Sequence, residues 1–218
     1  MSSGLAIFDI DGTLFQAQRV TIPAVQRTLA KHGLAVPGDR EIASFFGRPV
    51  EEYHAWLAGF CPPGKMDAII AETDALELAL IQDEGALYDG VPEALTELKA
   101  AGYTLASCSN GPIDDVDAVL DGHKLRPFFE IAICKGMGYA GKEAMVGDLL
   151  NRLPQRPAFV VGDREDDIAA AHAHGAQAVA AAYGFGGDGE WKNADARAES
   201  PSDIPPMIVA LRTPSSQT

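Results

Sequence analysis

Cysteine is scarce in this chain of 218 residues: Cys61, Cys108 and Cys134 are the only three, widely spaced and without a Cys-x-x-Cys pair. An odd, dispersed set suits a reducing compartment better than a disulfide scaffold. Long apolar runs are missing as well. No stretch approaches the ~20 residues needed to span a bilayer, and the N-terminus lacks the basic flank and apolar core of a secretory signal. A soluble cytoplasmic protein is therefore expected. Positive charge is also in short supply, with 17 basic against 31 acidic residues and a net charge of -14. That balance disfavours a nucleic-acid backbone or an anionic membrane as partner. It leaves room for a small phosphate substrate only if the pocket is locally positive. Internal repeats are absent too. What is present in quantity is apolar side chain, 47% of residues, enough to bury a full core in one large domain or a domain with an insertion.

Near the start, Leu5 to Ile10 reads as a short strand buried on both faces, and it runs into Asp9-Ile10-Asp11-Gly12-Thr13. Acids at the end of a buried strand need compensation. While the chain stays extended, Asp9 and Asp11 share one side, and Gly12 then permits a sharp turn. Paired carboxylates at such a place can hold a divalent cation, attack a phosphorus or carbon centre, or shuttle a proton. Asp-Gly alone is an ordinary turn dipeptide; the whole string is what carries the chemical reading.

Helical patterns follow. Thr21-Ile22-Pro23 predicts a helix start, with Ile22, Val25 and Leu29 as its apolar stripe and Gly33 as its end. Glu41 to Phe60 and Met66 to Gln82 are also helical in pattern, broken by Gly47-Arg48-Pro49 and Cys61-Pro62-Pro63-Gly64. With no convincing strand before residue 85, residues 16–85 are expected to form a helical cap domain inserted into a core made of residues 1–15 and 86–218. In that core, helices over Pro92–Ala101, Asp114–Leu120, Lys142–Leu153 and Asp166–His174 alternate with strands over Thr104–Cys108, Glu130–Cys134, Ala158–Gly162 and Gln177–Ala182. The alternation predicts an α/β fold, a Rossmann-like parallel sheet with helices on both faces and a crevice at the carboxyl ends of its strands. The tail from Thr213 is polar and expected to fray.

Several groups should reach that crevice. After the strand Phe159-Val160-Val161 come Gly162 and Asp163, and a helix starting near Arg164 would let Asp163 and Asp167 face one point. Asp9, Asp11 and Asp163 together would repel one another unless a cation held them. Magnesium, with its preference for oxygen ligands, is the natural cofactor. Zinc suits the sequence poorly, since His172 and His174 point to different sides of a helix and all five histidines read as surface or packing residues. Ser107 and Ser109 are alternatives for a hydroxyl at a strand end beside free backbone N–H groups, with Ser109 just past the apolar run. Lys142, following Gly141 at a helix start, is the best-placed cation and Lys135 the alternative.

These four pieces, Asp9-x-Asp11-Gly-Thr, Ser109 after a strand, a lysine, and Gly162-Asp163-x-x-x-Asp167, resemble the haloacid dehalogenase superfamily of phosphohydrolases over residues 5 to about 187. The helical insertion looks like the cap of its phosphoglycolate phosphatase-like subgroup, and Tyr88-Asp89-Gly90-Val91-Pro92 resembles that subgroup's return into the core. The resemblance implies that Asp9 is the nucleophile forming an aspartyl-phosphate and that Asp11 moves protons to the leaving oxygen and from water. It implies a Mg2+ held by the Asp9 carboxylate, the Asp11 backbone carbonyl and Asp163 with support from Asp167. Ser109, the Asn110 backbone and Lys142 would hold the phosphoryl oxygens. An acid at position 11 sets the chain apart from dehalogenases and phosphonate hydrolases, whereas phosphomutases of the same fold keep it. A non-catalytic module that binds a phosphorylated ligand is the alternative from outside enzymology.

In the cap, Gly47-Arg48-Pro49 is the candidate specificity segment, with Arg48 able to reach a substrate carboxylate or second phosphate. Phe45, Phe46, Tyr53 and Trp56 read as cap packing. The expected partner is a small phosphorylated metabolite, phosphoglycolate or a related short acid or sugar phosphate first, acted on by a monomer or homodimer.

Overall fold

The computed structural model describes residues 3–212, so the polar tail from Thr213 lies outside the described residues. β1 (Gly4–Phe8) is followed by four helices, α1 (Gln18–Lys31), α2 (Asp39–Ala43), α3 (Val50–Ala58) and α4 (Met66–Asp83). Next come α5 (Val91–Ala100), β2 (Tyr103–Ser109), α6 (Ile113–Gly122), β3 (Ile131–Cys134), α7 (Lys142–Arg152), β4 (Ala158–Gly162) and α8 (Glu165–Ala173). The chain ends with β5 (Gln177–Ala181), α9 (Asp188–Trp191), β6 (Ala196–Ala198) and α10 (Ile204–Arg212).

The six strands form one sheet in the order β3-β2-β1-β4-β5-β6, every neighbouring pair parallel. β1 therefore sits in the middle, and the chain reverses its direction of travel across the sheet between β1 and β4. That reversal opens the crevice at the strands' carboxyl ends.

Burial on both faces follows from strand periodicity. Ala6 and Phe8 of β1 join Leu105, Phe159 and Val161 in the apolar layer under α5, α6 and α10. Leu5 and Ile7 join Ala106, Val160, Met145 and Ile168 in the layer under α7 and α8. Alternate residues face opposite sides, so a strand covered twice must be apolar throughout.

The inserted helices carry a small core of their own, built from Val25, Leu29, Ile42, Phe46, Tyr53, Leu57 and Ile69. Val20 and Ala24 of α1 and Leu80 and Ile81 of α4 belong to the core-domain layer. The insertion is thus rooted at its base and separately packed at its tip. Helix α1 begins at Gln18, three residues before the expected cap at Thr21, and Pro23 lies inside it. The C-terminal β6 and α10 were not apparent from the sequence. A three-residue strand shows no periodicity, and Pro205-Pro206 looks like a breaker although a first helical turn accepts proline.

Candidate active site

β1 and β4 are adjacent, with Phe8 opposite Val161, and strands so paired run about 4.8 Å apart. The residues just beyond them, Asp9 and Asp163, are therefore delivered side by side. Asp167 comes from the first turn of α8, where its Oδ2 accepts a hydrogen bond from the Arg164 N–H at 3.1 Å. One carboxylate oxygen from each of Asp9, Asp163 and Asp167 lies within 4.8 Å of the others, and all three residues are buried. Asp9 Oδ2 and Asp163 Oδ1 have no hydrogen-bond partner among the described residues.

Lys142, the first residue of α7, supplies the compensating charge. Its Nζ lies 2.5 Å from Asp9 Oδ1, 2.9 Å from Asp167 Oδ1 and 3.2 Å from the Cys108 carbonyl. Burial works against the ammonium, yet Asp167 and Asp9 outweigh it and hold it well above its ordinary value. Three buried acids nevertheless share one lysine. Burial pushes Asp9 up to about 6 and Asp167 up to about 8 with Lys142 pulling the other way. Burial, then Asp9 and Asp167, drives Asp163 well up. Unpaired oxygens and an excess of negative charge at one point fit a hard divalent cation bound by oxygen ligands.

Asp11 takes a different direction. The chain turns immediately after Asp9, and the Ile10 carbonyl accepts hydrogen bonds from the Thr13, Leu14 and Phe15 N–H groups at 3.2, 2.8 and 2.9 Å. The structure gathers Asp9, Asp163 and Asp167, while Asp11 lines a cavity of about 420 Å³ between the sheet end and the inserted helices. Burial, followed by Asp115, pushes its carboxyl up to about 6. The turn requires glycine: Gly12 has φ +85°, and a Cβ there would stand 2.4 Å from Asp163 Oδ2. Gly162 is equally confined, since a Cβ there would meet Asp167 Cγ at 2.1 Å.

Ser109 is buried at the end of β2, its Oγ accepting the Gly111 N–H at 3.0 Å. Ser107 is buried within the strand, its hydroxyl without a partner among the described residues. The Asn110 side chain donates to the Gly47 carbonyl at 3.0 Å and to Asp166 Oδ2 at 2.8 Å, tying core to insertion. Lys135 stands at the rim, paired with Glu51 of α3 at 2.7 Å. Arg48 lines the cavity with its guanidinium 3.6 Å from Glu52.

Other contributors were not found by sequence reasoning. The Phe185 N–H donates to Asp163 Oδ2 at 2.7 Å and the Trp191 indole to the Asp163 carbonyl at 2.6 Å, so the segment after β5 sets the orientation of that acid. Arg164 bridges the Phe46 carbonyl of the insertion and Glu190. The signal available was Gly184-Phe185-Gly186-Gly187 following a strand, a glycine-rich run where backbone must approach closely.

A model of the haloacid dehalogenase-like hydrolase family matches residues 4–175. The chain is 29% identical over 223 residues to a phosphoglycolate phosphatase of Caulobacter vibrioides, covering 94% of this chain and 91% of that protein. It is 31% identical over 180 residues to one of Colwellia psychrerythraea, covering 77% and 79%. The fold matches the crystal structure of a predicted phosphoglycolate phosphatase from Haemophilus somnus with a TM-score of 0.86 at 21% identity, over 94% and 97% of the two chains. With its six-stranded parallel sheet, inserted helical cap and buried acid triad, the chain belongs to the haloacid dehalogenase-like hydrolase family.

Proposed function

We propose that the protein is a magnesium-dependent phosphatase that hydrolyses a small phosphorylated metabolite through an aspartyl-phosphate on Asp9. The observation that carries this reading is the buried group of Asp9, Asp163, Asp167 and Lys142 beside a cavity lined by Asp11. Asp9 attacks phosphorus in line and the ester bond breaks; Asp11, in its acid form, gives its proton to the departing oxygen. Asp11 then takes a proton from water as that water attacks the acyl phosphate, returning Asp9 and releasing phosphate. A carboxyl pushed up to about 6 suits both halves, because it exchanges its proton near neutral pH. Ser109, the Asn110 backbone N–H and Lys142 hold the phosphoryl oxygens.

Mg2+ would be held by the carboxylates of Asp9, Asp163 and Asp167 and the Asp11 backbone carbonyl, and its positive charge would offset repulsion between Asp9 and the incoming phosphate. Residues 16–85 act as the cap that excludes water. The names of the curated relatives, phosphoglycolate phosphatases, support a short phosphorylated acid as substrate, with a sugar phosphate as the related alternative. A panel of phosphorylated metabolites assayed with and without Mg2+ tests the reading. Phosphate release is expected only with the metal and is lost on chelation; equal release in excess chelator would refute it.

Arg48 lines the cavity, and in this reading it would donate to oxygens of the leaving group. Arg48→Ala is expected to raise KM for the best metabolite about five- to tenfold, the worth of roughly one hydrogen bond, and to leave KM for a generic aryl phosphate nearly unchanged. An equal response of both substrates would remove Arg48 from selectivity.

A further inference from the structure

The space that would receive the leaving group has a charge pattern of its own. Asp74 and Glu77 from α4 and Asp115 from α6 line it together with Asp11. The arginine and histidine of its lining, Arg48 and His54, both already face acids: Arg48 lies 3.6 Å from Glu52 and His54 Nε2 lies 3.1 Å from Asp74 Oδ1. Neither Glu77 nor Asp115 has a cationic partner among the described residues. Glu77 accepts a hydrogen bond from the Thr21 hydroxyl. Burial pushes the Glu77 carboxyl up to about 8 against that bond, and Asp115, Asp11 and Asp74 add to the effect.

A second feature points into the same space. Tyr53 of α3 lines the cavity and is only 8% exposed, yet its hydroxyl has no hydrogen-bond partner among the described residues. Burial, then the charges of Glu77, Asp74 and Asp115, hold its proton in place, so the phenol faces the same three acids. An unpartnered buried hydroxyl is costly unless a ligand completes it. Asp114 also lines the wall, and much of the remainder is apolar, with Val20, Phe46, Ile81 and Val119 suited to a carbon skeleton.

A carboxylate placed here would meet five acids, Asp11, Asp74, Glu77, Asp114 and Asp115, in a lining whose arginine and histidine already face acids. An ammonium group has three N–H donors and no acceptor, and its charge would draw the Glu77 and Asp115 carboxyls into their ionised forms, so that two carboxylates and a phenol oxygen match its donors. We propose that this cavity selects a phosphate monoester whose leaving group carries a cationic amine, held by Glu77 and Asp115 with the Tyr53 oxygen as the third acceptor. The proposal rests on the phosphatase reading above and narrows its substrate class, turning it away from carboxylate-bearing esters such as phosphoglycolate.

The test uses the full chain with Mg2+ and two size-matched sets: phosphoethanolamine against phosphoglycolate, and glucosamine 6-phosphate against glucose 6-phosphate, with an aryl phosphate as reference. In each set kcat/KM is expected to favour the amine, by about tenfold or more over the carboxylate, as charge complementarity predicts. Glu77→Gln and Asp115→Asn are each expected to shrink that ratio severalfold, a change in selectivity that a merely structural role would not produce. Turnover of the aryl phosphate without an amine preference, or a preference that neither substitution alters, overturns the inference while leaving the phosphatase reading intact. No phosphate release from any compound, the aryl phosphate included, overturns both.

Discussion

Asp9→Asn is expected to abolish phosphate release, lowering kcat by about 10³-fold or more, the scale of losing a covalent nucleophile. The substitution changes few atoms, so the loss is chemical. A carboxamide oxygen is a poor nucleophile, and a neutral side chain is a weaker ligand for a divalent cation. The fold should survive. Asp9 is one of three buried acids around one ammonium, and neutralising one relieves part of their repulsion while Asp167 still pairs with Lys142. Thermal melting without added metal is therefore expected to stay within a few degrees of the native chain or to rise. Stabilisation by added Mg2+ should shrink, since one ligand has been weakened. Measurable turnover in a well-folded Asp9→Asn protein would remove Asp9 from the nucleophile's role.

Lys142→Met is expected to have the largest effect on stability. The ammonium is almost wholly enclosed, with side-chain exposures of 3% for Lys142 and 5% for Asp9, and it faces Asp167 and the Cys108 carbonyl as well. Removing it leaves acids facing one another with no internal counter-charge. Breaking a buried pair in this way costs roughly 3–5 kcal/mol. For a chain of this size each kcal/mol moves Tm by about 2–4 °C, so a fall of about 6–20 °C should appear by calorimetry in the absence of metal. Added Mg2+ should recover part of the stability by occupying the acidic centre. Activity should remain depressed by about 10²–10³-fold even then, because the phosphoryl oxygens lose a fixed cation. A Tm within two or three degrees of the native protein would show that the acids bear no uncompensated charge.

The two predictions probe different parts of what was legible beforehand. Asp9, Gly12, Gly162 and Asp163 were visible because each is a chemically odd residue at the carboxyl end of an apolar run. Their structural reasons are now concrete: the glycines leave room for the carboxylates of Asp163 and Asp167, where a Cβ would collide. Lys142 and Ser109 were visible only by position after a strand or at a helix start. The lysine is the clearer case, since Lys135 and Lys142 were rivals in the sequence, and in the folded chain one pairs with Glu51 at the rim while the other lies among the buried acids.

Apart from Asp11, the acids of the cavity were not legible. Asp74, Glu77 and Asp115 belong to helices that are unremarkable in pattern, and Tyr53 reads as packing. They become a group because α4 packs against both α3 and α6, so that side chains from residues 53, 74, 77 and 115 line one space. Phe185 and Trp191, which orient Asp163, come from a loop and a four-residue helix, too short to leave a periodic trace.

The order of apolar runs, turns and acids was enough to specify an α/β chain with carboxylates at the strand ends, because those features are local and repeat with the period of each element. Which carboxylates gather at one point, which lysine faces them and what charge lines the cavity were decided by tertiary packing. Electrostatic energy depends on separation in space and on exclusion of water, and neither quantity is written along the chain until β1 lies against β4 and the cap closes over both.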